Sequence, residues 1–242
     1  SAEELRDKYP SVYQWLLERV KPEREQNNRA RVRDLWWLFA EARVVMRASL
    51  SGLKRYIVTG QVAKHRVFQF LDASILPDDK LIAIALDDAF SLGILSSQLH
   101  ICWALATGGT LEDRPVYSKS TCFDTFPFPD EDTGLTPALR ERIATLAEHI
   151  DAHRKRVLGL AGTAGGDFAS AARMSAPQSP PAPALPAAGT TASAALTLTG
   201  LYNVLAALRA GRALTAKEKA IHTQGLVGVL RELHDELDAA VL

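Results

Sequence analysis

Basic side chains interleaved with aromatic rings dominate the first quarter of the sequence. Residues 19–66 contain twelve basic and four acidic side chains, and Trp36, Trp37 and Tyr56 lie among them. Lysine and arginine release condensed counterions when they contact DNA phosphates, and the arginine fork also matches the acceptors of guanine. We therefore expect phosphate contacts from this stretch. The candidate positions are Arg29, Arg31, Arg33, Arg43, Lys54, Arg55 and Arg66.

The neutral total charge of the 242 residues hides this polarity. Residues 67–132 contain three basic and eleven acidic side chains, so two oppositely charged stretches cancel. A basic stretch is only a footprint of nucleic-acid binding. The alternative is a solvated surface whose basic residues pair with the acidic stretch of the same fold.

No set of side chains has the spacing of a catalytic or metal centre. Residues 77–80 (PDDK) are too close together to converge on two metal ions, and they favour a turn. His149 and His153 lie one helical turn apart without a third ligand in view. In residues 179–182 (SPPA), Ala182 stands where a methyltransferase needs an aromatic ring against a flipped base. We expect no catalytic residue, no bound cofactor and no metal in this chain.

Hydrophobic periodicity predicts the elements that must position the basic residues. Short runs rich in β-branched and aromatic residues predict strands at 36–40, 55–59, 65–71 and 81–86. Helical spacing predicts helices at 12–20, 42–50, 89–107 and 137–158, with further helices in the last forty or so residues. The expected fold class is α+β: a small twisted, mostly antiparallel sheet flanked by helices, followed by a helical C-terminal extension.

A change in composition predicts the division of the chain. Residues 159–200 are rich in alanine, proline and glycine, which predicts a flexible linker. The expected parts are a body at 1–130, a connecting helix at 131–158, the linker, and a helical segment at 201–242. In that segment Thr215 and Glu218 predict a capping box. The apolar side of its last helix must dock either on helix 137–158 or on a part of a longer protein.

Two cysteines, Cys102 and Cys122, are too few for a disulfide framework. The N-terminal residues SAEELRDKYP lack the pattern of a secretory signal, and the apolar run at 92–106 is interrupted by polar residues. We expect reduced thiols, a cytoplasmic protein and no membrane partner.

Two segments of the sequence carry a family resemblance. Residues 55–109, with the phrase LGILSSQLHICWALA, are followed by YSKSTCFDTFPFP, and together they resemble the target recognition domain of MmeI-like DNA methyltransferases. Residues 196–242 resemble the C-terminal helical segment of the same family. The resemblance implies a parent enzyme that methylates adenine at N6 with S-adenosylmethionine. In that family the catalytic domain precedes the recognition domain, and some members also carry a nuclease.

The resemblance also implies where DNA bases are read. Family-like reading is concentrated in the turn at 60–66 and in the loop at 110–119. Both segments carry donors and acceptors of the kind that distinguish base edges in the major groove. The candidate base-reading residues are Lys64, His65, Glu112, Arg114 and Lys119. In the simpler alternatives, Glu112 and Arg114 pair with each other, and Lys64 and Arg66 contact phosphate only.

The sequence therefore predicts a module that recognises double-stranded DNA sequence on behalf of its parent's own methyltransferase domain. S-Adenosylmethionine would belong to the parent and not to this chain. The alternative is a protein-interaction or dimerisation module, in which the basic stretch binds an acidic partner and the tail helices form the dimer seam.

Overall fold

The computed structural model describes residues 1–159 and 196–242. They form two compact units, Ser1–Ser51 and Gly52–Leu242. The predicted α+β class is confirmed, because a small antiparallel sheet is combined with helices and a helical C-terminal region. The predicted linker at 159–200 lies almost wholly outside the described residues, and the predicted division of the chain stays a prediction.

The first unit is a set of short helices. They are α1 (Ala2–Lys8), α2 (Pro10–Arg19), α3 (Lys21–Glu25), α4 (Ala30–Asp34) and α5 (Val44–Leu50). Trp36 is buried and packs against Tyr13, with ring centroids 5.7 Å apart. The strand predicted at 36–40 is wrong, because these residues form turns and bends after α4. The Arg24 guanidinium donates hydrogen bonds to the backbone oxygens of Trp36 and Leu38, so a side chain holds this segment.

The second unit contains a sheet in the order β2-β1-β3, antiparallel throughout. The strands are β1 (Arg55–Gly60), β2 (Gln69–Asp72) and β3 (Leu81–Ile84). Tyr56 and Ile57 of the central strand are fully buried, as expected for a strand covered on both faces. The strand predicted at 65–71 begins only at Gln69, because its pairing with β1 ends at the pair Val58–Gln69.

Helices α6 (Ala89–Ser96) and α7 (Gln98–Thr107) replace the single helix predicted at 89–107. The chain breaks at Ser97, whose hydroxyl caps α7 by accepting from the His100 amide and donates to the Ile94 carbonyl. Gly93 lets α6 approach the next long helix, since a Cβ there would lie 2.6 Å from Ile143 Cγ2. Among the residues described, no single helix is long and apolar enough to cross a membrane; α6 and α7 pass that test only as a pair bent by 61°.

Helix α8 (Pro137–Val157) confirms the helix predicted at 137–158, and the Thr136 hydroxyl caps it by accepting a hydrogen bond from the Leu139 amide. Three buried polar side chains of α8 join the sheet to the tail. Arg154 Nη1 donates to the Phe68 carbonyl at 2.7 Å, and Asp151 accepts from the Phe70 amide at 3.3 Å. His153 Nε2 lies 3.1 Å from the Gly225 carbonyl oxygen.

The tail consists of α9 (Leu198–Arg209), α10 (Ala216–Gln224) and α11 (Val227–Val241). It docks on α8 of the same chain, which answers the question that the sequence left open, and Leu230 and Leu237 are fully buried there. The capping box of Thr215 and Glu218 is confirmed. The chain breaks between α10 and α11 at Leu226, where φ is 46°, and Leu226 and Val229 are exposed, so the apolar side of the tail is only partly covered.

Candidate nucleic-acid interface

The segment predicted as an irregular loop at 110–119 is mostly a β-hairpin. Strands β4 (Gly109–Leu111) and β5 (Arg114–Val116) pair antiparallel, and the turn between them consists of Glu112 and Asp113. Two-residue hairpins need positive φ in the turn, and Glu112 supplies it with φ of 58°. Charged side chains are thereby displayed at a defined tip instead of along a mobile loop.

At the hairpin tip, Glu112 and Arg114 form an ion pair of 2.8 Å between carboxylate and guanidinium, and both side chains remain solvent-accessible. The pairing that the sequence allowed as an alternative is therefore present in the protein alone. Such an exposed pair contributes little to stability, so either partner can turn to another ligand at small cost.

The two segments predicted to read bases lie side by side. The Tyr117 amide donates to the Gln61 carbonyl at 2.8 Å, and the Ala63 amide donates to the Pro115 carbonyl at 3.2 Å. Val62 and Val116 form an antiparallel bridge between these bonds. Residues 61–63 thus continue the hairpin as a third extended segment. We call residues 61–66 together with the hairpin 109–117 the paired-segment surface.

Lys64 and His65 both contact one side chain of the tail. Lys64 Nζ and His65 Nε2 each lie 2.8 Å from Oδ1 of Asn203 on α9. Burial lowers the pKa of His65, which favours the neutral ring despite the hydrogen bond to Asn203. The interpretation of 60–66 as a free turn missed this contact, because nothing near Lys64 in the sequence indicates a partner in the tail.

Beside Lys64 and His65 is an open groove of about 770 Å³. Its other wall is formed by the start of α9, with Thr199, and by Arg212 and Lys217 near the start of α10. The groove carries basic and hydroxyl groups of the kinds that contact a sugar-phosphate backbone. Glu218 also lines it and holds Arg212 in a two-pronged ion pair. The groove connects the tail to the paired-segment surface.

Arg55 and Arg66, two predicted phosphate contacts, are engaged inside the protein. Arg55 forms a two-pronged contact with Glu148, at 3.1 and 2.5 Å, and its guanidinium stacks on Phe70. Arg66 is 7% exposed and donates to the hydroxyl of Thr59 and to backbone carbonyls. Both guanidinium groups therefore already have partners within the protein, and we do not propose them as phosphate contacts.

Other candidates remain accessible. Lys54 is exposed, and Lys119 is exposed with its ammonium 2.6 Å from the Asp124 carboxylate. In the first unit Arg29 and Arg31 are exposed and Arg43 pairs with Glu41 at 3.1 Å; all four line a shallow groove of about 350 Å³.

Arg33 lies close to this group in the sequence and donates to the Asn27 carbonyl at 2.8 Å. Phosphate contact by Arg29, Arg31, Arg33, Arg43 and Lys54 stays a prediction, and so does base reading by Lys119.

A buried aromatic cluster supports the paired-segment surface from below. Tyr117 is fully buried, and its hydroxyl lies 2.9 Å from Nε2 of His100. Phe68 and Phe126 contact the His100 ring edge to face, at centroid distances of 5.4 and 4.4 Å. Burial lowers the pKa of His100 to about 4, so the ring is neutral near pH 7. Within residues 1–159 and 196–242, no three acidic, histidine or cysteine side chains gather as metal ligands would.

Comparison with known proteins gives the family. The solved structure of the Type IIL restriction-modification enzyme MmeI in complex with DNA matches with a TM-score of 0.54 at 16% identity, over 93% of this chain and 22% of that one. At that identity the match establishes the fold. DNA methyltransferase A of Bacillus subtilis (strain 168) is 33% identical over 61 residues, which are 25% of this chain and 7% of that protein.

This chain thus spans less than a quarter of either relative. The family model "MmeI, target recognition domain" matches residues 3–130, more than half of the chain. The chain belongs to the family of MmeI target recognition domains.

Proposed function

We propose that this chain binds double-stranded DNA and selects the sequence on which a restriction-modification methyltransferase acts. The observation that carries the proposal is the paired-segment surface. Two segments that the family resemblance marks for base reading are hydrogen-bonded into one surface with Glu112 and Arg114 at its tip. An α-helix or a two-stranded ribbon has the width that the major groove admits.

The parent activity belongs to the same proposal. We propose an S-adenosylmethionine-dependent methyltransferase that modifies adenine at N6, with the cofactor bound by a domain outside this chain. DNA and that catalytic domain are then the partners, and the enzyme acts in the cytoplasm. The free thiols of Cys102 and Cys122 are consistent with such a compartment. Base flipping into a separate pocket would explain why reading and chemistry occupy different domains.

The alternative function, a dimerisation module, is weakened by the position of the tail helices. In that alternative the tail helices form the dimer seam, but Leu230 and Leu237 of the tail are buried against α8 of the same chain. These two side chains are therefore not available for contact with a second copy.

The proposal is tested at the hairpin tip. The chain is incubated with a random duplex library, bound duplexes are sequenced, and the selection is repeated with the double variant Glu112→Gln, Arg114→Gln. We expect a defined sequence preference for the chain without substitutions. In the variant it should be relaxed at one or two base pairs, by about 1–3 kcal/mol of discrimination.

Asp113→Asn is the matched control, because it removes a charge from the same turn without touching the ion pair. An unchanged preference in the double variant would remove Glu112 and Arg114 from the reading surface. If the chain without substitutions showed no sequence preference, the proposed function itself would be overturned. If the chain is expressed within its full-length protein, sequencing of methylated bases gives the same comparison.

A further inference from the structure

The side chain of Arg66 joins the two halves of the paired-segment surface. Nη1 donates to the hydroxyl of Thr59 at 3.2 Å and to the Gly60 carbonyl, both at the end of β1. Nη2 donates to the Pro115 carbonyl of the hairpin at 3.2 Å. One guanidinium fork therefore spans from the central sheet to the hairpin, and the same Pro115 carbonyl also accepts from the Ala63 amide.

The other side of the Arg66 guanidinium faces the buried aromatic cluster. Its central carbon lies 5.1 Å from the ring centre of Tyr117, whose hydroxyl contacts His100. Tyr117 in turn donates its backbone amide to Gln61. The arginine thus contacts the end of β1, strand β5 of the hairpin, and the aromatic ring that ties the hairpin to the core.

The charge of Arg66 is held without a carboxylate among these contacts. Its hydrogen-bond partners are two carbonyls and one hydroxyl, and burial lowers the pKa of the guanidinium. Burying a charge is costly unless its hydrogen bonds are satisfied. A planar fork satisfies several fixed carbonyls at once, which a flexible ammonium does less well. This arrangement is therefore suited to fixing geometry.

We infer that Arg66 is a positioning residue for sequence recognition. It sets the orientation of the hairpin tip relative to residues 61–65, and so determines base discrimination without touching DNA. The inference rests on the proposed function and deepens it, because it assigns to a buried residue part of the specificity displayed at the surface.

The test separates discrimination from general affinity. Affinities are measured for the duplex selected by the chain and for a shuffled duplex of equal length, at one ionic strength. The variants are Arg66→Met, Arg66→Lys and, as a control that removes the same charge from an exposed site, Arg231→Met. We expect Arg66→Met to lower the preference for the selected duplex about tenfold. Its affinity for the shuffled duplex should stay within about twofold of the control, since a residue that touches no phosphate releases no counterion.

Arg66→Lys should recover part of the preference, because an ammonium can replace some but not all of the bonds of the fork. It also serves as the test if Arg66→Met does not fold. An equal loss for both duplexes beyond the control would identify Arg66 as a phosphate contact and overturn the inference, as would an unchanged preference.

A second measurement does not depend on DNA. Hydrogen exchange of the Ala63 and Tyr117 amides, which bond the two segments, should be faster in Arg66→Met than in Arg231→Met. Equal exchange rates in the two variants would contradict the inference. This result does not depend on DNA binding, so it can be told apart from failure of the proposed function, which would appear as no sequence preference in the unmodified chain.

Discussion

The two units of the chain are built differently, although both carry predicted DNA contacts. In Ser1–Ser51 several large apolar side chains are exposed, Trp15 at 60% and Phe39 at 76%, and the basic residues stand on short helices and turns. In Gly52–Leu242 the paired-segment surface rests on side chains such as Tyr117 that are fully buried. A phosphate contact tolerates a loosely held cation, whereas a base contact requires donors and acceptors at fixed positions. The difference in packing therefore matches the difference in predicted roles.

The largest expected effect tests the difference in packing directly. Ile150 of α8 is fully buried in the core between α8 and the tail helices of the second unit, so Ile150→Ala should lower the free energy of unfolding by about 2–5 kcal/mol. Val12→Ala on α2 of the first unit, where the side chain is half exposed, should cost less than about 0.5 kcal/mol. Urea denaturation followed by circular dichroism measures both. Similar losses for the two variants would mean that the units do not differ as described.

The next effect concerns the dependence of folding stability on pH. The pKa of His100 lies at about 4 in the folded protein and near 6.5 when exposed, so the unfolded state binds more protons between these values. Stability should therefore fall as the pH is lowered from 6.5 towards 4, by up to about 3 kcal/mol from this group. His65, His153 and His234, whose pKa values burial also lowers, add to the same trend.

His100→Gln should reduce the slope in that window. The tryptophan indole signals in nuclear magnetic resonance spectra can show which unit loses stability, since Trp103 is in the second unit and Trp15, Trp36 and Trp37 are in the first. A slope that is unaltered by His100→Gln would argue against a neutral, buried ring beneath the hairpin.

The smallest expected effect concerns the first unit. Reversing charge at Arg29, Arg31 and Arg33 to glutamate should weaken binding to every duplex by about 1–2 kcal/mol at low ionic strength and flatten the salt dependence. The sequence preference should be retained, because these residues are predicted to contact phosphate only. Affinity measured over a range of salt concentrations, for the selected and the shuffled duplex, decides the matter. Binding of random duplex as tight as that of the parent chain would exclude these contacts.

Elements with local signals could be predicted from the sequence. The cap at Thr136, the capping box at Thr215 and the central strand at 55–59 depend on neighbouring residues, and all three are present. The pair Trp36-Trp37 indicated a strand, but Trp36 packs on Tyr13, which lies more than twenty positions away. The break at Ser97 was missed, although the Ser97 hydroxyl that caps α7 is a local signal.

In the candidate site, too, some features could be predicted from the sequence and others could not. The two segments predicted to read bases were chosen by resemblance. Their pairing could not be predicted, because the hydrogen bonds join Gln61 and Ala63 to residues more than fifty positions away. Arg66 was expected at the surface because charge normally stays in water, whereas carbonyls fixed by the hairpin make its burial possible. Asn203 was missed altogether, since it is 138 positions from His65 and lies on an ordinary amphipathic helix.

The backbone at Glu112 limits how recognition can change over evolutionary time. Its left-handed φ of 58° is tolerated best by glycine, asparagine and aspartate and worst by β-branched residues. Arg114 lies in a regular strand position, which accepts a much wider range of side chains. Valine and isoleucine at position 112 should therefore be rare among relatives, and under the proposed function new specificities should be reached more often by exchanges at position 114 than at 112.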